Sequence, residues 1–146
     1  MPELQLADDT PLLLWMEEST EGEVIKRMIQ SLAGRAGVRD LKGLERAVLE
    51  RQKLLPPLLG NGVALPHART AAVTEIVLAI GRIKEPVPFG PDKVPVSLVF
   101  LYGVPTQCIG EYLAAVARLT RLLKTPGMLD ALLTAPDEES FRQLMH

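Results

Sequence analysis

The sequence predicts an α/β fold: a small mixed β-sheet flanked by helices on both faces, as a single domain over residues 1–146. Apolar residues recur at helical spacing from Glu23 to about Lys53 and again after Pro105, while the region between holds short runs rich in Val, Leu and Phe. Helices before and after the strands give such a sheet a covering layer on each face. The 146 residues, 47% hydrophobic and 23% charged, suffice for one core. A chain of that length buries roughly 68–70% of its unfolded surface, so it needs neither disulfide nor metal to fold.

Leu12 to Trp15 reads as an edge strand or docking segment, with Trp15 as a packing residue. Ser19 or Thr20 precedes the acidic Glu21 and Glu23, which favour a helix N-terminus. Val24, Ile25, Met28 and Leu32 then predict a helix from Glu23 to Ala36, ended by Gly37. A second helix is expected from Asp40, a good N-cap, to about Lys53, burying Leu41, Leu44 and Val48. Glu45 and Arg51 flank that stripe, Arg46 and Lys53 point away, and Pro56-Pro57 stops the helix.

Val63 to Leu65, Glu75 to Ile83 and Val94 to Tyr102 are the strand candidates. Lys84 to Lys93, with Pro86, Pro88, Gly90 and Pro91, is expected to be a loop or wide hairpin. Thr106 is placed to cap a third helix through about Lys124, with Ile109, Leu113, Val116 and Leu123 as its apolar stripe. Pro126 to Leu133 and Asp137 to Met145 read as two short closing helices, the last residue, His146, fraying in solvent.

Composition removes several function classes. The formal charge of −2, with no long Lys/Arg run, is not a nucleic-acid footprint. One cysteine, Cys108, excludes an intrachain disulfide and suits a reducing compartment; with only two histidines, it makes a poor basis for a transition-metal site. No apolar run approaches the ~20 residues of a membrane span, and Met1 to Thr10 lacks the basic-then-apolar pattern of a secretory leader. The expectation is a soluble cytoplasmic chain with no direct membrane insertion, or a domain cut from a longer membrane-tethered one.

The informative segment is Gly60-Asn61-Gly62-Val63-Ala64-Leu65-Pro66-His67-Ala68-Arg69. Pro66 biases Leu65 toward extended backbone and has no N–H, so the strand ladder is expected to end there and leave His67 where a strand runs out into a loop. A histidine takes and passes on a phosphoryl group when its ring is neutral, one nitrogen is open and the other is hydrogen-bonded, with donors around the transferred oxygens. Arg69, two residues on, and Arg51, folding back from the second helix, are the candidate donors. The same Pro-His pair also fits an ordinary turn with a solvated arginine. No Gly-Lys-Ser/Thr follows the glycines and no nucleophile elbow is present, so neither a P-loop nor a serine triad is indicated.

This segment resembles the active-site signature of enzyme IIA domains of the bacterial sugar phosphotransferase system, of the fructose/mannitol type and closest to its nitrogen-regulatory branch. The resemblance runs from about Val24 to Leu144. It includes a helix ending in Arg51, the strand Val96 to Leu101 running into Val104-Pro105, and Gly110-Glu111-Tyr112-Leu113. It implies that His67 is phosphorylated by the histidine-containing phosphocarrier protein, with Arg51, Arg69, Asn61 and Tyr112 as phosphate-stabilising residues and no metal, nucleotide or other cofactor. The group then passes to a IIB domain or signals to a regulated transporter or kinase. Two departures stand out. Tyr112 occupies the place where the family usually has a second histidine, and Pro56-Pro57-Leu58 replaces a Ser-Thr-Gly segment. They leave open an alternative, a non-catalytic IIA-like module that regulates by contact alone. Glu111 could orient a ring or cation, though an exposed glutamate in a first helical turn is the simpler reading.

Overall fold

The computed structural model describes all residues except 1–5, 8 and 55, so part of the Met1–Thr10 stretch read for a leader lies outside the described residues. In chain order the elements are β1 (Leu12–Met16), α1 (Glu21–Gln30), α2 (Leu41–Leu54), β2 (Leu58–Gly60), β3 (Val63–Ala64) and β4 (His67–Arg69). There follow β5 (Val77–Phe89), β6 (Val94–Val104), α3 (Ile109–Lys124), α4 (Met128–Thr134) and α5 (Glu138–Met145). The strands form one sheet in the order β1-β5-β6-β3-β2, with β4 also pairing β6. β1 runs parallel to β5, and β3 and β4 parallel to β6, while the β5–β6 and β2–β3 pairs are antiparallel. The sheet is mixed, as its sequence predicts.

Alternation along β6 shows why helices cover both faces. Leu98, Phe100, Tyr102 and Val104 point to one side, where Leu119 of α3, Leu132 of α4 and Phe141 of α5 complete a core. Val99 and Leu101 point to the other, against Val24, Ile25 and Met28 of α1 and Leu44 and Val48 of α2. Among the described residues no helix is long and apolar enough to cross a membrane.

Local chemistry sets the helix starts. Thr20 Oγ1 accepts from the Glu23 N–H at 3.2 Å and its hydroxyl donates to Glu23 Oε1 at 2.9 Å, a reciprocal cap on α1. Asp40 Oδ1 likewise accepts from the Gly43 N–H at 3.0 Å ahead of α2, and Asp137 Oδ1 from the Ser140 N–H at 2.7 Å at α5. The end of α1 differs from expectation. It stops at Gln30 rather than Ala36, where the Ser31 hydroxyl donates to the Met28 carbonyl and turns carry the chain to Gly34 at φ +79°.

Four further expectations are corrected. Of the loop or wide hairpin expected over Lys84 to Lys93, the hairpin forms, but Lys84–Phe89 is strand: β5 bulges between Arg82 and Val87, then resumes against β6 with Pro88 opposite Pro95, a pair in which neither residue has an N–H to leave unpaired. The hairpin tip is only Gly90–Lys93 in length. Thr106 does not cap α3; Cys108 stands at the N-cap, with no side-chain capping bond. The stripe of α3 is rotated, so that Tyr112 and Leu119 are buried while Ile109 and Leu113 are 36% and 59% exposed. Trp15 is 69% exposed, its ring lying 5.1 Å from the guanidinium carbon of Arg82.

Arg82 itself is buried. From β5 it donates to the carbonyls of Leu132 and Ala135 at 2.9 Å each, and to that of Leu14 at 3.4 Å. Those first two carbonyls lie at the end of α4, where helix carbonyls lack partners of their own.

Candidate functional site

His67 owes its position to one interruption of the sheet and to the hydrogen bonds on either side of it. Pro66 breaks the ladder between β3 and β4, but its carbonyl accepts from the Tyr102 N–H at 2.9 Å, and pairing with β6 resumes at once. His67 therefore opens a short strand rather than a loop, facing Tyr102, with Ala68 opposite Gly103 and Arg69 opposite Val104. Among the described residues β4 pairs only with β6. The approach to it is pinned as well: the Leu65 N–H donates to the Pro57 carbonyl at 2.8 Å. Pro57, in the segment that replaces the expected hydroxyls, thus acts through its backbone carbonyl, holding the stretch that leads to the histidine.

The Leu65 carbonyl lies 2.9 Å from His67 Nδ1. A carbonyl oxygen can only accept, so Nδ1 carries the proton and the neutral ring keeps its lone pair on Nε2. The imidazole pKa is lowered, first by partial burial, which penalises the cation, and further by the positive charge of Arg51; the Leu65 hydrogen bond works in the other direction. The ring is held neutral near pH 7 with its tautomer fixed. That is the state a nitrogen nucleophile needs.

Around it lies a cleft of about 360 Å³ lined by Ala47, Arg51, His67, Ala68, Arg69 and Ile109. Arg51 reaches it from the last turn of α2, half-buried, and Arg69, exposed, from β4 itself. The two guanidiniums and the imidazole, separated in sequence by up to eighteen residues, share one concavity. Tyr112 packs its ring beside the imidazole, centroids 5.2 Å apart at 31°, and is 4% exposed. Its phenol pKa is raised, chiefly by burial and then by Tyr102, against the pull of Arg51, so the hydroxyl stays protonated.

Asn61 is not brought to this cleft. With Gly62 it forms the two-residue turn between β2 and β3, at φ +55° and +80°, the doubly positive conformation that a tight hairpin demands. The Gly62 carbonyl bonds the N–H groups of Ser97 and Leu98. Val63 faces Leu98 and His67 faces Tyr102, so the turn lies roughly 13 Å or more up β6 from the histidine. Glu111 is exposed in the first turn of α3, and Cys108 is partly buried. Sequence reasoning missed Ile109 as a wall of the cleft, because its spacing matches the buried stripe. It also missed Tyr102, whose pairing with His67 is a matter of strand register.

The family described as phosphoenolpyruvate-dependent sugar phosphotransferase system, EIIA 2, matches residues 13–146. The chain is 33% identical over 126 residues to a nitrogen regulatory protein of Bradyrhizobium diazoefficiens, covering 82% of this chain and 81% of that one. It is 31% identical over 131 residues to a fructose-specific EIIABC component of Bacillus subtilis, covering 88% of this chain but spanning only 21% of the length of that protein. Among solved structures, the nitrogen regulatory protein IIA-Ntr of Neisseria meningitidis superposes with a TM-score of 0.83 at 30% identity, over 92% of each chain. Enzyme IIA mannitol of Escherichia coli, solved in complex with phosphorylated enzyme IIB mannitol, has the same fold, with a TM-score of 0.81 at 21% identity over 97% of this chain and 96% of that one.

Proposed function

The chain belongs to the phosphoenolpyruvate-dependent sugar phosphotransferase system EIIA 2 family, whose members are phosphoryl carriers in sugar uptake or nitrogen regulation, and on that footing we propose that His67 Nε2 is its phosphoryl acceptor. The observation that carries the reading is the Leu65 carbonyl on Nδ1, which leaves Nε2 as the basic nitrogen in a cleft shared with Arg51 and Arg69. Nε2 attacks the phosphorus of a phosphohistidine on the donor. The donor's N–P bond breaks as the new one forms, and its electron pair returns to the donor ring. Phosphorylated His67 keeps its Nδ1 proton, and the Leu65 carbonyl stabilises the positive charge that the ring then shares. Arg51 and Arg69 offset the charge on the phosphoryl oxygens, the main contribution a protein makes to such a transfer.

The donor is a histidine-containing phosphocarrier protein. The onward acceptor is a IIB domain, in keeping with the complex formed by the mannitol-specific relative, or the phosphoryl group serves as a signal to a transporter or kinase, in keeping with the nitrogen regulatory relatives. Incubation with enzyme I, the phosphocarrier protein and phosphoenolpyruvate should raise the intact mass by one phosphoryl group. No gain with authentic partners, or labelling that survives His67→Ala, overturns the assignment.

Tyr112 favours a second reading, regulation by contact without transfer, since a buried phenol brings no titratable charge near neutrality to the imidazole. Tyr112→His separates the two readings. If the parent protein is not phosphorylated and this variant is, Tyr112 is what silences the site.

A further inference from the structure

We propose that Tyr102 is a positioning residue for His67: its ring seats Tyr112 against the imidazole and so sets the α3 wall of the phosphoryl cleft. The inference rests on His67 being the acceptor, and its geometry is a row of three rings, with Tyr112 between Tyr102 and His67. Tyr102 is held by the sheet on both sides, opposite His67 on β4 and Leu78 on β5, and its N–H donates to the Pro66 carbonyl. Its position relative to His67 is therefore fixed by backbone hydrogen bonds.

Tyr112 has no such tie. It comes from α3, whose N-terminus lacks a side-chain capping bond, and it is the only fully buried residue in the first two turns of that helix. Ile109 and Leu113, on either side, are exposed. Cys108 and Val116 pack in part against the same core, but Tyr112 is the side chain most buried there, and it meets Tyr102 edge-on, with centroids 5.4 Å apart at 73°. Such edge-to-face contacts define orientation as well as contributing energy. The Tyr112 ring centroid also lies 5.2 Å from that of the imidazole. Tyr102 consequently decides how far Tyr112 sinks toward the sheet, how much of the His67 ring stays out of water and where Ile109 stands. The other charged groups facing His67 are Arg51 from α2 and Arg69 on β4.

The test uses the full chain with Tyr102→Leu and Tyr102→Phe. Proton NMR of the parent protein should show contacts from the Tyr112 ring to both the His67 and Tyr102 rings; their absence overturns the proposal even if Tyr102→Leu fails to fold. A folded Tyr102→Leu should shift the His67 titration upward toward that of an ordinary imidazole. It should also lower kcat/KM for phosphoryl acceptance about tenfold or more, the scale expected when a reacting group is displaced by around 1 Å. Tyr102→Phe, which keeps the ring, should restore both. An unchanged titration in folded Tyr102→Leu, or a Tyr102→Phe as impaired as Tyr102→Leu, refutes positioning by the ring. The titration and ring contacts need no phosphoryl donor. A parent protein that is never phosphorylated but shows both would therefore sink the acceptor assignment alone.

Discussion

Removing Arg82 should lower stability severely while sparing the cleft. Arg82 is 7% exposed, and its guanidinium has two 2.9 Å bonds to the Leu132 and Ala135 carbonyls, residues that are 0% and 5% exposed. Hydrogen bonds to a charged group contribute about 1.5–3 kcal/mol each, and most of that is lost when the partners are left buried without a donor. The 3.4 Å bond to Leu14 and the contact with the exposed Trp15 ring together contribute about 1 kcal/mol or less. The cost of burying the cation, which also lowers its pKa, offsets part of this, leaving roughly 3–5 kcal/mol for Arg82→Ala. In a chain of this size 1 kcal/mol moves Tm by about 2–4 °C, so the expected fall is roughly 6–20 °C. Calorimetry measures it. Arg82→Met, which refills the volume, isolates the polar share. A fall under about 3 °C for Arg82→Ala would show that water satisfies both carbonyls and that the reasoning is wrong. Phosphoryl acceptance at low temperature should be unchanged, since Arg82, on β5, bonds the end of α4 and does not line the cleft.

Arg51→Ala should reduce phosphoryl acceptance by about 10- to 100-fold, the equivalent of one charge-assisted contact. Because its charge helps to depress the His67 pKa, the same variant should raise the imidazole titration followed by NMR; a fall would contradict the electrostatic assignment. Arg69→Ala should reduce acceptance comparably, read in the same mass-shift assay as an initial rate. As for pH, only the neutral ring is a nucleophile and its pKa lies below the ordinary value. Acceptance should therefore hold as pH falls past the point where a free histidine charges, and drop only in more acid solution. An acid limb above the usual imidazole range would refute it. Thr20→Ala, which removes the cap on α1, should cost about 1 kcal/mol by denaturant titration and leave phosphoryl acceptance unaltered.

Local rules carried much of the fold. Thr20, Asp40 and Asp137 are legible as caps because a side-chain oxygen two or three residues ahead of a free N–H needs no distant partner. The apolar run of Val94 to Tyr102 is legible because both faces of a central strand are buried. The prolines of β5 were misleading, since a missing N–H matters only if the ladder calls for it at that residue, and Pro88 meets Pro95. The buried stripe on α3 lies a few tens of degrees from where the apolar spacing places it. A helical pattern wide enough to include both Ile109 and Tyr112 does not say which of them turns inward, and here the side chain that meets Tyr102 does.

The site divides in the same way. His67, Arg51 and Arg69 were readable as a set of chemical types, and the order of elements around them was readable as an α/β sheet with helices on both sides. Their convergence was not. Arg51 reaches the histidine because α2 packs beside β4, whereas Asn61, nearer in sequence, is carried away by extended strand at about 3.3 Å per residue. Residue type and periodicity are properties of the chain, and they determined which chemistry and which layers this protein has. The imidazole tautomer, its lowered pKa and the Tyr102–Tyr112 support depend on register and burial between distant segments, and only the packed structure decides those.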